Sequence, residues 1–431
     1  MSTYMPNTKK LYSQSLELYQ KEKFKDIVQQ YDVLIKNFQK DITILNILGI
    51  SLVNEKEFLK ATNVFEKIKL VDPIHPNINA NLGNLYRLTS QYDKSIKCLI
   101  EAIQSNPNNF NSYYNIALAY YSSGNIILSL RNFELSLNYV NEESIKIIND
   151  ICKTYLGILI DIGKTDEAFK IGKDLLKKFP DSSIINYKLA NLYSWRNQYS
   201  KSINLYREAL KFDPNNKSIK FDLALSLKKE GIYEECLSIL KDLDFQQSKA
   251  VYIETLFQLG EKKDFLRELD FASKNFKGNR VLANLSKYTS YLYNQKDEYP
   301  FCNDPFKFIY ARNVLKPDLV KDVLKELDSL ELDLMNQDLL INGTQSAGNL
   351  FKFNLPNLNK LKDMIKEEIE NYRNIFSHEN EYFINNWPTN SSLKSWYIDL
   401  KEGGSLDYHY HHAGWLSGSV YLNMPETSRV E

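Results

Sequence analysis

Apolar and small positions recur in phase along the first half of the chain. Segments reading LGISL (48–52), LGNLY (82–86), IALAY (116–120), LGILI (156–160), LANLY (189–193) and LALSL (223–227) place a small residue at Gly49, Gly83, Ala117, Gly157, Ala190 and Ala224. The steps between these residues are 34, 34, 40, 33 and 34. A second apolar stretch opens on Phe58, Tyr92, Ile126, Tyr199 and Tyr233, and a second small residue follows at Ala61, Ser95, Ser129, Ala168, Ser202 and Cys236. Pro73, Pro107, Pro180 and Pro214 close four of the units. Self-similarity at a fixed period predicts stacked helix pairs. The small residues let paired helices approach closely, the aromatic fills the gap between neighbouring hairpins, and proline, lacking an N–H, ends the second helix. Ser15, Phe24 and Ile27 suit a degenerate first unit, and six extra residues near 138–144 lengthen one hairpin connection. Residues 246–290 keep a helical pattern without the signature, as a capping unit does.

Over residues 8–245 this pattern resembles the tetratricopeptide repeat. The resemblance implies an all-α repeat solenoid, a tetratricopeptide superhelix, with about seven repeats and capping helices over residues 1–290. Such an array presents a groove for an extended peptide or a partner helix. By itself it predicts protein or peptide binding and no chemistry.

The pattern changes near residue 291. YNQKDEYPFCNDP is polar with two prolines, so 291–305 reads as a linker before a second domain over 306–431. FKFIYA (306–311) predicts a strand, and 316–332 a helix opened by Pro317. NGTQSAGNLF (342–351) reads as a turn-rich loop, and 358–376 as a helix with Leu358, Leu361, Met364, Ile365 and Ile369 on one face. LKSWYIDL (393–400) and SGSVYLNM (417–424) have strand composition, with a turn expected at Gly403-Gly404 between them. Helices followed by short strands indicate either an α+β domain or a β-sandwich with helices packed outside.

Composition narrows the function. Lys+Arg and Asp+Glu both number 54, which argues against broad electrostatic capture of nucleic acid or an anionic membrane. The first residues, MSTYMPNTKKLYSQ, carry no apolar h-region, so no secretory signal is expected from them; no run is long enough to span a bilayer, and no Gly-x4-Gly-Lys-Ser/Thr phosphate loop occurs. Cys98, Cys152, Cys236 and Cys302 are widely spaced, so packing explains them better than zinc or disulfides, and a reducing cytoplasm is the expected compartment. Of five histidines, three fall in LDYHYHHAGWLSGSVYLN. In an extended chain His409 and His411 share one face and Tyr410 takes the other. Two imidazoles on one face suit a single metal completed by a third ligand, with neutral imidazole the ligating form. A solvated or core-capping histidine cluster is the competing reading of that motif taken alone.

The surrounding residues carry more. NGTQSAGNLF, NYR, NNWP and above all GG-x4-H-x-H-x3-WLSG-x2-YL-x2-P resemble a 2-oxoglutarate/Fe(II) oxygenase domain of the kind found behind tetratricopeptide repeats. The resemblance implies a double-stranded β-helix (jelly-roll) fold, Fe(II) and 2-oxoglutarate as cofactors, and His409 and His411 as metal-site residues. Many members of the wider superfamily carry a carboxylate where His411 stands, and the family usually has proline where His412 stands. Tyr421 resembles the tyrosine that contacts 2-oxoglutarate, and a strand aromatic in the core is its other reading. The family pattern also needs a distal histidine and a basic 2-oxoglutarate anchor on later strands, and no histidine follows His412. The chain is therefore expected to hold the N-terminal part of an incomplete jelly-roll domain. Two function classes follow: a dioxygenase recruited to its target by the repeats, or a non-catalytic tetratricopeptide scaffold. A repeat-linked transferase fits least, for want of a glycine-rich phosphate loop.

Overall fold

The computed structural model describes residues 6–73, 75, 77–140, 145–297, 299, 301–335, 339–407, 411 and 414–424. It divides into two compact units, Met1–Ile151 and Cys152–Glu431. Every regular element described before residue 293 is an α-helix.

The first unit contains α1 (Pro6–Gln20), α2 (Phe24–Val28), α3 (Tyr31–Asn37), α4 (Ile42–Asn54), α5 (Phe58–Val71), α6 (Ile78–Leu88), α7 (Tyr92–Ser105), α8 (Phe110–Ser122) and α9 (Ile126–Tyr139). From α4 onward the helices pair as α4/α5, α6/α7 and α8/α9. The local causes are visible. Asp41 and Asn109 accept the backbone N–H groups of Ile44 and Ser112 at 3.0 and 3.2 Å, capping α4 and α8. Pro73 and Pro107 stand two residues beyond α5 and α7, where a helix cannot continue. The small positions are close-approach sites: a Cβ on Gly49 would lie 2.4 Å from the Phe65 ring, and one on Gly83 would lie 2.5 Å from Leu99 Cγ. The second small residue adds a hydrogen bond across the hairpin, Ser95 Oγ to Gly83 O at 2.7 Å and Ser129 Oγ to Ala117 O at 2.8 Å. Leu48, Phe65, Ile68 and Leu82 lie in one buried core.

The second unit continues the pattern. The division falls within α10 (Ile145–Asp161), which is followed by α11 (Thr165–Lys178), α12 (Ser183–Trp195), α13 (Tyr199–Phe212), α14 (Lys217–Lys229), α15 (Tyr233–Lys241), α16 (Gln246–Gln258), α17 (Lys262–Asn275) and α18 (Arg280–Leu292). The 40-residue step in the repeat is partly absorbed by α10, which has 17 residues where α8 has 13. Residues 141–144 of the expected longer connection lie outside the described residues.

Beyond α18 the elements are α19 (Pro317–Asp328), β1 (Leu334–Met335), β2 (Leu340–Ser346), α20 (Pro356–Ile375), α21 (Tyr382–Asn385) and β3 (Ile398–Leu406). The strands form one antiparallel sheet in the order β1-β2-β3. Val323 and Leu327 of α19 pack with Leu358 and Leu361 of α20, and Phe308, Tyr372, Phe383 and Ile384 form a second aromatic-rich core.

Four strand and loop expectations are corrected here. FKFIYA is not a strand: Pro305–Phe308 is a 3-10 turn whose first residue is proline, with Phe308 buried and Phe306 81% exposed. NGTQSAGNLF is not simply a loop, because β2 runs through Ser346. Its turn-like residues mark a bulge: Asn342 has φ +48° and the register shifts between Ile341 and Gly343. The Gly403-Gly404 pair is not a turn after the strand but part of β3, opposite that bulge. A Cβ on Gly404 would lie 2.8 Å from Asn342 O. Residues 417–424 form no strand, since no partner strand lies beside them among the described residues.

Within the second unit the sheet region is seamed to the α10–α11 turn. Asp333 Oδ2 accepts the Asp166 N–H at 2.7 Å and the Thr165 hydroxyl at 2.9 Å, so it caps α11 from a distant part of the chain. Asn349 N–H donates to Asp161 O at 2.8 Å, and a Cβ on Gly348 (φ +77°) would fall 2.4 Å from Gly163 N.

Candidate functional site

The segment that follows β3 in sequence carries the candidate metal residues. His409, Tyr410 and His412 lie outside the described residues. His411 is exposed, and its ring centroid stands 5.7 Å from that of Trp396 at a 41° tilt. Trp396 lies just ahead of β3, so the sheet positions the ring against which His411 rests. Trp415 is a packing residue: its Nε1–H donates to Phe383 O at 3.1 Å and its ring meets Phe301 at 5.4 Å.

Tyr421 is 70% exposed. It lines an open groove of about 550 Å³ along α19 with Leu315, Val320, Lys321, Leu324 and Lys325. His411 is not among the groove's lining residues. The structure therefore places Tyr421 against α19 and His411 against Trp396. Imidazole is the right donor type for Fe(II). Among the described residues, however, no three His, Cys, Asp or Glu side chains are gathered for one ion. The described residues alone do not complete a metal site.

The cysteines read as packing. Burial pushes the Cys152 thiol up to about 12 and the Cys236 thiol up to about 11, far from the range of a reactive thiolate.

The repeats hold polar groups that the periodicity did not single out. Asn81 Nδ2 donates to Asn46 Oδ1 at 2.7 Å, linking α6 to α4, and Arg87 Nη2 donates to Asn84 Oδ1 at 2.8 Å. In the second unit the Tyr187 hydroxyl donates to Asp222 Oδ2 at 2.7 Å, linking α12 to α14. Burial raises Tyr187 and Asp222 and lowers the neighbouring Lys188. Polar residues spaced three or four apart within the first helix of a unit were the available signal, and the eye for small residues passes over them.

Helix pairs with close-approach small residues, capped and proline-terminated in phase, define a helical-hairpin repeat protein with an α+β region behind it. The chain carries tetratricopeptide repeats: residues 72–124 match the family described as "TPR repeat", and residues 184–216 match "Tetratricopeptide repeat". Residues 394–431, from just before β3, match the family described as "Putative 2OG-Fe(II) oxygenase". The chain is similar to tetratricopeptide repeat protein 6 of Homo sapiens, 22% identical over 172 residues that make up 40% of this chain and 31% of that protein. It is also similar to the TPR repeat-containing protein MJ1428 of Methanocaldococcus jannaschii, 26% identical over 190 residues, 42% of this chain and 31% of that protein. The matched stretches thus span about a third of the length of these curated relatives. Among solved structures it is similar to Pseudomonas aeruginosa PilF (TM-score 0.37, 15% identity, 52% of this chain and 94% of that one). It is likewise similar to the Cut9–Hcn1 hetero-tetramer of the APC/C (TM-score 0.41, 10% identity, 62% and 52%). Among the described residues no helix is long and apolar enough to cross a membrane.

Proposed function

We propose that this chain belongs to a 2-oxoglutarate/Fe(II)-dependent dioxygenase whose tetratricopeptide repeats recruit a protein or peptide target. The observation that carries the reading is the oxygenase-family match over residues 394–431, which contains the His-x-His pair and stands in the same chain as the repeats, C-terminal to them. In this proposal residues 1–290 are the recruiting array, 291–305 the linker, and 306–431 the N-terminal part of a jelly-roll domain. His409 and His411 hold the metal through neutral imidazole, and Tyr421 contacts 2-oxoglutarate. Iron in such a site would supply oxygen activation, while His409 and His411 would supply ligands to it and the repeats would bring the target. A cytoplasmic setting fits the unpaired cysteines.

The test is anaerobic spectroscopy of the full chain with Fe(II) and 2-oxoglutarate. The expected result is a visible charge-transfer band that is absent from the H409A/H411A variant and weakened in Tyr421→Phe. A spectrum identical for wild type and H409A/H411A would refute the metal site and leave the scaffold reading.

A further inference from the structure

α19 carries two apolar stripes, and the fold uses one of them. Leu319, Val323 and Leu327 recur every fourth residue and lie in the core that α19 shares with α20. Val320 and Leu324 recur in the same way one position further on. Both are half-buried, and neither belongs to that core among the described residues. They line the open groove of about 550 Å³ instead, with Tyr421 as a wall brought in from far along the chain. Leu422 packs into the α19–α20 core, which anchors the Tyr421 backbone beside the helix while its ring stays exposed.

The charges of the groove fall in an order. Lys321 and Lys325 line it one turn apart, and Asp328 lines it a turn further on. Both lysines are exposed, and neither enters an ion pair among the described residues, although Asp318 and Asp322 stand on the same helix. An open groove leaves one side of its occupant in water. That suits an amphipathic helix, which keeps a polar face, better than a wholly apolar ligand. Apolar side chains one turn apart on α19 form a ridge against which the apolar face of a second helix can pack. Carboxylates one turn apart on that helix would meet Lys321 and Lys325, and a basic residue beyond them would meet Asp328.

We propose that the α19 groove docks an amphipathic helix of a partner protein. The partner's apolar stripe lies on Val320, Leu324 and the Tyr421 ring, and its acidic residues face Lys321 and Lys325. The surface stands outside the repeat array, so it is a recruitment site additional to the repeats. It does not depend on His409 or His411, and its failure would leave the oxygenase reading untouched.

The test is selection of phage-displayed random peptides, about four helical turns long, on the full chain, with binders to Leu324→Glu removed at each round. That removal discards peptides held by the repeats. Leu324 lies outside the core, so its variant should keep the wild-type circular dichroism melt. The expected consensus has apolar residues at helical spacing with Asp or Glu one turn apart beside them. Synthetic peptides of that consensus should bind wild type about tenfold or more tighter than Lys321→Glu/Lys325→Glu by fluorescence anisotropy, and exchanging their carboxylates for lysines should restore binding to that variant. These two lysines are exposed, so the charge exchange tests the groove whatever Leu324→Glu does to the fold. No peptide enriched after the removal step, a consensus without acidic residues, or no rescue by the exchanged charges would overturn the proposal. So would a dimer of the chain, seen by analytical ultracentrifugation, that Leu324→Glu dissociates, since a second copy would then cover the groove.

Discussion

Two glycines at the same repeat position should respond to alanine with opposite sign. At Gly83 an added Cβ meets Leu99 Cγ at 2.5 Å, Cδ2 at 2.9 Å and Cδ1 at 3.3 Å. Leu99 is fully buried, and its branch point cannot swing aside as a flexible tip could. At Gly157 the nearest atom is the tip of Lys188, Nζ at 3.9 Å. Alanine gains about 1 kcal/mol over glycine inside a helix. Overpacking a filled core costs about 1–3 kcal/mol. Gly83→Ala should therefore lose up to about 2 kcal/mol net, while Gly157→Ala, with only the helix term, should gain about 0.4–1 kcal/mol. The assay is urea unfolding by circular dichroism, with amide exchange locating the change in α6/α7 or α10, since a repeat array need not unfold as one step. Adding Leu99→Ala to Gly83→Ala should cost less than Leu99→Ala alone, because the extra methyl then fills part of the cavity. Equal stabilisation by Gly83→Ala and Gly157→Ala would show that the small positions are not close-approach sites.

Other outcomes follow from the second unit. Asp333→Ala removes a cap from α11 and should cost about 0.5–2 kcal/mol, with Asp333→Asn much milder, as read from the unfolding midpoint. A circular dichroism melt should show Gly348→Val to be worse than Asp333→Ala, because its Cβ collides with backbone at a positive φ. Burial raises the Tyr299 and Tyr372 hydroxyls to about 12, above the ordinary value of about 10. The folded state holds these protons more tightly, so stability should be level below about pH 10 and fall from there toward about 12. An alkaline melt with no such fall would contradict the burial of the two phenols.

The repeats were legible because their constraints are local and periodic: a small residue where helices touch, an aromatic opening the next helix, a proline after it. Their numbers map directly onto the structure, as at Gly83 against Leu99 and Pro107 after α7. The C-terminal region was legible in its two long helices and, in part, in the strand expected at 393–400, where β3 begins at Ile398. There the same residue types serve different ends. Asn342-Gly343 and Gly403-Gly404 look like turns but form the two sides of a bulge, which depends on the partner strand. FKFIYA has strand composition, yet Pro305 and the burial of Phe308 make it a 3-10 turn. The Asp333 cap on α11 joins residues 167 apart in sequence, beyond the reach of any local pattern.

The central claim is that the segment behind β3 gives two imidazoles to one Fe(II). Equilibrium dialysis of the full chain against Fe(II) under anaerobic conditions tests it most directly. The account predicts saturable binding of one iron per chain, weakened below the ordinary histidine pKa of about 6.5 and lost in both H409A and H411A. Iron bound equally by wild type and by the two variants would contradict it.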